Sequence, residues 1–291
     1  AGVSKTSFAD GLGFVLGALK IRLYSLPELI SWAFISIAGV LVTLFIALTF
    51  FASVQTTAIS IITIVSIFLI VQNFMNIYSM TYAWSHADRV NDNASPKIFA
   101  KPNLSFTALI PARDEEQVIA DTIRAVGDIN YPDSLKQLLV ICRQDDTTTI
   151  KKAQEAIDKH EVSNTKVVVF DGFPINKPKG LNEELKEAEN DVVVIFDAED
   201  QPHPDIYHIA NTVMSREKVD VLQSGVQLIN YRSHWFSALN VLEYYFWFKS
   251  SLHLYSRFGT VTLGGNTVFF KRDWLHKVSG WDERCLTEDA D

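Results

Sequence analysis

No Asp, Glu, Lys or Arg occurs between Leu29 and Ala87. Gln55-Thr56-Thr57 divides this stretch into two apolar halves, Leu29–Val54 and Ala58–Trp84. A bilayer-crossing helix takes about 20 apolar residues. Neither half carries the polar face that a soluble helix would show. The pattern predicts two transmembrane α-helices forming a hairpin over residues 29–87. It begins too late and runs too long for a cleaved leader. Lys20 and Arg22 precede it, Arg89, Lys97 and Lys101 follow it, and the turn between the halves is uncharged. The positive-inside rule then puts both flanks in the cytoplasm, with Tyr78, Tyr82 and Trp84 near that interface. Residues 1–28 read as a membrane-surface segment. Gly11, Gly13 and Gly17 match a dinucleotide-binding fingerprint only loosely, and no strand precedes them. Residues 88–103 are polar, contain Pro96 and Pro102, and read as a linker.

From Ser105 the pattern changes to short apolar runs alternating with amphipathic stretches. Strands are predicted at Phe106–Ile110, Leu138–Cys142, Lys166–Phe170, Val192–Phe196 and Val219–Gln223. Helices are predicted at Glu115–Val126, Thr149–His160, Leu181–Ala188 and Asp205–Ser215. Repeated βα units imply an α/β fold with a mostly parallel, doubly wound sheet.

The chain has 291 residues and a formal net charge of −8. The excess acid lies beyond the first hundred residues, which argues against a nucleic-acid partner. Cys142 and Cys285 form no C-x-x-C pair and suggest no disulfide framework. Asn93-Ala94-Ser95 and Asn103-Leu104-Ser105 match glycosylation sequons, which a cytoplasmic face would leave unused. The absence of an initial Met, and an end at Asp291 just after an acidic cluster, suggest a fragment of a longer protein.

Polar chemistry collects just past the predicted strand ends, where open α/β sheets bind ligands. Pro111-Ala112-Arg113-Asp114-Glu115-Glu116 follows the first strand, and Arg143-Gln144-Asp145-Asp146 the second. A loop ending in Lys177-Pro178-Lys179-Gly180-Leu181-Asn182 follows the third. Asp197-Ala198-Glu199-Asp200 follows the fourth. Three acids in four positions repel one another unless a cation or donors neutralise them. They suggest a divalent-cation site serving a phosphorylated ligand. An acidic helix start is the plainer alternative, since Pro202 and Pro204 open a helical pattern. His203 and His208 read as surface histidines.

This series resembles the nucleotide-sugar domain of the family 2 glycosyltransferases, which have the GT-A (Rossmann-like) fold. The resemblance covers roughly residues 104–291. It rests on Ile110 to Glu116, Asp145-Asp146, Lys177 to Asn182, Asp197-Ala198-Glu199 and Thr287-Glu288-Asp289. Leu263-Gly264-Gly265-Asn266 and Gly280-Trp281-Asp282 are similar to the acceptor-side segment of that family. The two leading helices resemble those of its membrane-embedded, polysaccharide-making branch. The chain departs from the usual Asp-x-Asp metal motif, because Glu199 stands in the third place with Asp200 next to it. Gln-x-x-Arg-Trp, the motif of processive members, is absent before the chain stops.

The resemblance implies a UDP-sugar donor, a glycan or lipid-linked acceptor, Mg²⁺ or Mn²⁺, and a multi-pass protein of the cytoplasmic membrane with its catalytic domain in the cytoplasm. Metal falls to Asp197 and Glu199, with Asp200 competing for the second place. Pro111, Asp114, Glu115, Asp145, Lys177, Lys179, Asn182 and Asp197 fall to the donor, with Asp145 towards the uracil. Gly264, Gly265, Asn266, Trp281 and Glu288 fall to the acceptor side. Asp289 is the implied base, with Glu288 and Asp291 as competitors. The aromatic run from Trp235 to Tyr255 suits core packing, sugar binding or a membrane interface.

Overall fold

The computed structural model describes residues 39–40, 43, 53–229, 231–259 and 261–285. It divides into two compact units, Ala1–Met80 and Thr81–Asp291. Most of the first predicted span therefore lies outside the described residues. A continuous helix, α1 (Val54–Ser85), covers the second. Ser53 starts it, its Oγ accepting from the Thr56 amide at 3.2 Å. This is the one described helix long and apolar enough to cross a membrane, judged by length and composition. Its 32 residues would reach about 48 Å at 1.5 Å per residue. A short helix, α2 (Ala87–Asp92), follows.

The second unit is built on six strands: β1 (Phe106–Ala112), β2 (Lys136–Arg143), β3 (Thr165–Phe170), β4 (Val192–Ile195), β5 (Val221–Gln223) and β6 (Val268–Lys271). Their spatial order is β3-β2-β1-β4-β6-β5. β1 pairs in parallel with β2 and with β4, and β2 with β3. β6 runs antiparallel to both β4 and β5. The sheet is mixed α/β with a parallel core, and the antiparallel β6 is the strand the sequence pattern did not predict.

Side-chain alternation explains the two-sided burial. Phe106, Ala108 and Ile110 of β1 face one core, with Ile119 and Ile123 of α3 (Ile119–Gly127), Ala153 of α4 (Thr147–His160) and Tyr207 of α6 (Ile206–Glu217). Leu109, Leu139, Val193 and Ile195 face the other, with Leu181 and Leu185 of α5 (Lys177–Leu185) and Leu275 of α9 (Arg272–Lys277). Both faces of the parallel strands are covered, so those strands read as unbroken apolar runs. Between β5 and β6 lie α7 (Ser237–Phe246), a widened π turn over Trp247–Ser251, and α8 (Leu252–Arg257).

Two helix starts lie four residues from the sequence pattern. α3 begins at Ile119, not Glu115. Asp114 takes a left-handed backbone (φ 60), and its amide donates to Asp146 Oδ2 at 2.7 Å, so the chain turns before it can coil. α5 begins at Lys177, four residues before the predicted Leu181. Asn176 caps it, its Oδ1 accepting from the Lys179 amide at 3.0 Å. An Asn followed by Pro at the second helical position is a start signal already present in the sequence.

Candidate active site

The carboxyl ends of β1, β2 and β4 and the start of α5 converge on a cleft of ≈ 420 Å³. Pro111, Arg113 and Glu115 line it beyond β1, Arg143 at the end of β2, and Asp197 and Glu199 beyond β4. Asn176, Lys177 and Gly180 close it from α5. The first turn of α5 thus brings the positive partial charge of a helix N-terminus to the cleft, although Pro178 carries no N–H and the Lys179 amide already donates to Asn176 Oδ1.

On the β4 side, Asp197 Oδ1 accepts from Lys177 Nζ at 2.7 Å. The same ammonium lies 3.4 Å from the Gly265 carbonyl. The Asp197 amide donates to Asp200 Oδ2 at 2.8 Å, and Asn266 Nδ2 donates to both Asp200 oxygens at 3.1 Å. Burial pushes the Asp200 carboxyl up to about 6, helped by the charges of Asp197 and Glu199 and opposed by these hydrogen bonds. Asp200 therefore turns inward and holds the loop, while Glu199 is exposed and lines the cleft. Thr122 Oγ1 donates to the Ala198 carbonyl and ties the same loop to α3.

Glu115 faces these carboxylates. Burial raises its pKa first, and the negative charges of Glu199, Asp114, Glu116 and Asp197 raise it further. Glu115, Asp197 and Glu199 thus bring hard oxygen ligands to one cleft, which fits Mg²⁺ or Mn²⁺. Among the described residues no cluster of three or more His, Cys, Asp or Glu could hold a metal by itself. A divalent ion here would complete its shell with ligand oxygens, as Mg²⁺ commonly does in phosphate sites.

Asp146 is central to the β2 side, and its part was not legible beforehand. It accepts from the amides of Asp114 and Thr149 at 2.7 and 3.1 Å. Burial works to raise its pKa, but these hydrogen bonds outweigh burial and hold it below the ordinary carboxylate value. Asp145 is exposed and ion-paired with Arg143, and it does not line the cleft. The Arg143 guanidinium lies between Asp145 and Asp171, 5.7 Å from the Phe173 ring centroid.

Beneath the cleft, Glu184 of α5 is fully buried, and neither carboxyl oxygen meets a hydrogen-bond partner in good geometry. Burial pushes its pKa well up, against the weaker pull of the Ile110 and Ile141 amides and the Lys177 charge.

Several expected donor and acceptor residues stand elsewhere. Lys179 pairs with Glu183 at 2.8 Å and Glu283 at 3.4 Å. Asn182 clamps a loop: its Nδ2 donates to the Trp281 carbonyl at 2.8 Å, and its Oδ1 accepts from the Trp281 amide at 2.9 Å. Trp281 is buried edge-on against Phe270. None of these three lines the cleft, nor does the exposed Asp114 side chain. Gly264 donates to Gln223 Oε1 at 2.7 Å, while Gly265 and Asn266 reach the acidic loop through Lys177 and Asp200. Glu288, Asp289 and Asp291 lie outside the described residues.

A family model described as "Glycosyltransferase like family 2" matches residues 102–291, more than half of the chain. "Probable glycosyltransferase YdaM" of Bacillus subtilis (strain 168) is 24% identical over 187 residues, covering 64% of this chain and 44% of that protein. "Beta-monoglucosyldiacylglycerol synthase" of Nostoc sp. (strain PCC 7120 / SAG 25.82 / UTEX 2576) is 26% identical over 212 residues, covering 67% and 43%. The chain therefore spans less than half the length of these relatives. The solved structure of the mannosyltransferase PcManGT from Pyrobaculum calidifontis, in complex with GDP-Man and Mn²⁺, superposes with a TM-score of 0.55 at 17% identity, over 76% of this chain and 60% of that one. The GT-A fold is shared.

Proposed function

The chain belongs to glycosyltransferase-like family 2, and from that premise we propose that it moves a sugar with inversion from a UDP-sugar to a glycan or lipid-linked acceptor at the cytoplasmic face of a membrane. The observation that carries this reading is the meeting of Asp197, Glu199, Glu115 and Lys177 with the N-terminus of α5 in one cleft. A nucleoside diphosphate brings concentrated negative charge, and such a cleft can receive it only if cations offset its own carboxylates. Lys177 offers one fixed positive charge, already 2.7 Å from Asp197. When bound, Mg²⁺ or Mn²⁺ supplies further charge between diphosphate and carboxylates. The positive end of the α5 dipole at Lys177 favours a phosphate oxygen beside it.

In the transfer step an acceptor hydroxyl oxygen attacks the anomeric carbon, and the bond from that carbon to the diphosphate oxygen breaks. The hydroxyl proton passes to a carboxylate base, for which Asp289 is the candidate. One displacement inverts the anomeric centre and calls for no enzyme nucleophile. A membrane acceptor is favoured by α1, and a lipid acceptor also by the relative whose name specifies diacylglycerol. Transfer to a polyprenyl phosphate is the second reading within the same chemistry.

Supplying the full-length enzyme with a panel of UDP-sugars and analysing the products tests the activity. Asp197→Ala tests the site: Mn²⁺-dependent UDP binding should weaken by roughly 10-fold or more, the scale of one lost charge-assisted contact. Unchanged binding with Mn²⁺ would refute the metal assignment. Binding of UDP by a full-length protein that transfers no sugar would favour a nucleotide-sugar-binding scaffold.

A further inference from the structure

Residues 281–285 lie in no strand or helix, and side chains of α5 and its cap fasten them. Asn182 bonds both backbone groups of Trp281 and, at 3.2 Å, Glu283 Oε1. Lys179 pairs with the same carboxylate at 3.4 Å. Asn176 reaches furthest along the stretch. Its Nδ2 donates to the Glu283 carbonyl at 2.7 Å and to the Cys285 carbonyl at 3.4 Å.

Of these three side chains, Asn176 alone also lines the cleft. Its Oδ1 is committed to the Lys179 amide at 3.0 Å. The oxygen therefore fixes the start of α5, where Lys177 reaches Asp197. The nitrogen, with two N–H groups, fixes the backbone that comes back to the cleft from the other end of the chain. Capping alone requires only an oxygen, which Ser, Thr or Asp would supply. The two carbonyls are what call for a carboxamide. Asp289 comes four residues after Cys285, so its Cα can stand no further than about 14 Å from that of Cys285. Fixing the Glu283 and Cys285 carbonyls narrows the space open to the Asp289 carboxylate.

We propose that Asn176 is a positioning residue for sugar transfer: by tying the 283–285 backbone to the start of α5, it sets where the base Asp289 can reach relative to the donor. Asn176 acts through that base. The assignment rests on the transfer reading above and on Asp289 as its base.

The test uses the full-length enzyme with the UDP-sugar and acceptor identified by the product analysis. Asn176→Ser and Asn176→Thr keep an oxygen for the Lys179 amide and remove the nitrogen that holds the two carbonyls. Each should melt close to the parent, bind UDP with Mn²⁺ within about 3-fold of the parent affinity, and lose roughly 10- to 100-fold in kcat, the cost of a misplaced catalytic group. In an Asp289→Asn background the same replacements should lower the residual rate by less than about 2-fold, because residues acting as one unit are not additive. A loss of UDP affinity as large as the loss in kcat would make Asn176 a donor ligand and overturn the proposal. An unchanged kcat would overturn it too, as would the full further loss in the Asp289→Asn background. An Asp289→Asn enzyme as fast as the parent would instead remove the base assignment. No transfer from any UDP-sugar would remove the transfer reading, and either result takes the role of Asn176 with it.

Discussion

Glu184 shows what a single side chain can reveal. Its carboxyl has no exposure and no partner in good geometry, so burial favours its neutral form and raises its pKa. Above its ordinary value of 4.5 the folded chain binds a proton that the unfolded chain has released. Stability from this group is therefore present at acid pH and lost as pH rises from 4.5 towards the folded value. Glu184→Gln, which mimics the neutral acid, should flatten that decline, with the unfolding midpoint gaining on the parent as pH rises. A parallel pH profile for parent and variant would mean that the carboxyl is ionised in the fold. Asp289 is argued at the same scale. Asp289→Asn should abolish transfer, a loss of about 100-fold or more for a general base, yet leave UDP affinity nearly unchanged. Collapse of UDP binding in a titration would show that this carboxylate serves the donor.

Elements explain why some residues were legible and others not. Strand-end chemistry was legible because β1, β2 and β4 announce themselves as apolar runs, and the residues after them must emerge at one edge. Lys179 and Asn182 follow from helix geometry instead. Once α5 starts at Lys177, Lys177 and Gly180, three residues apart, share the face towards the cleft, while Lys179 and Asn182, also three apart, turn towards the 281–283 loop. Reading α5 from its cap, Asn176, would have separated them. Asp146 escaped because nothing in an Asp-Asp pair says which one turns inward. The α5–loop contact carries its own prediction. Gly280 has φ +75, and a Cβ there would clash with Asn182 Oδ1. Asn182→Ala should cost about 1–3 kcal/mol through its lost hydrogen bonds. Gly280→Ala should cost a similar amount through strain. Because the two share that clash, the double variant should melt higher than the summed losses require. Strict additivity in thermal unfolding would disprove the shared contact.

At the scale of the whole molecule, the α/β class and the parallel core follow from alternating apolar and amphipathic segments, which strand burial on both faces imposes. The antiparallel β6 did not follow. Its four residues, Val268–Lys271, come directly after a glycine-rich turn, and no local periodicity says which way so short a strand will run. Its reversed direction has a consequence for binding. Because β6 opposes β4, its entry turn arrives where β4 ends, and Asn266 grips Asp200 while Asp200 grips the Asp197 amide. Two stretches nearly seventy residues apart in sequence are thereby hydrogen-bonded to each other. Any event that displaces the 264–266 turn tugs on the loop carrying Asp197. If the 264–266 turn receives the acceptor, as the family resemblance implies, its occupancy should alter donor affinity; UDP affinity unchanged by an acceptor analogue would show independent binding.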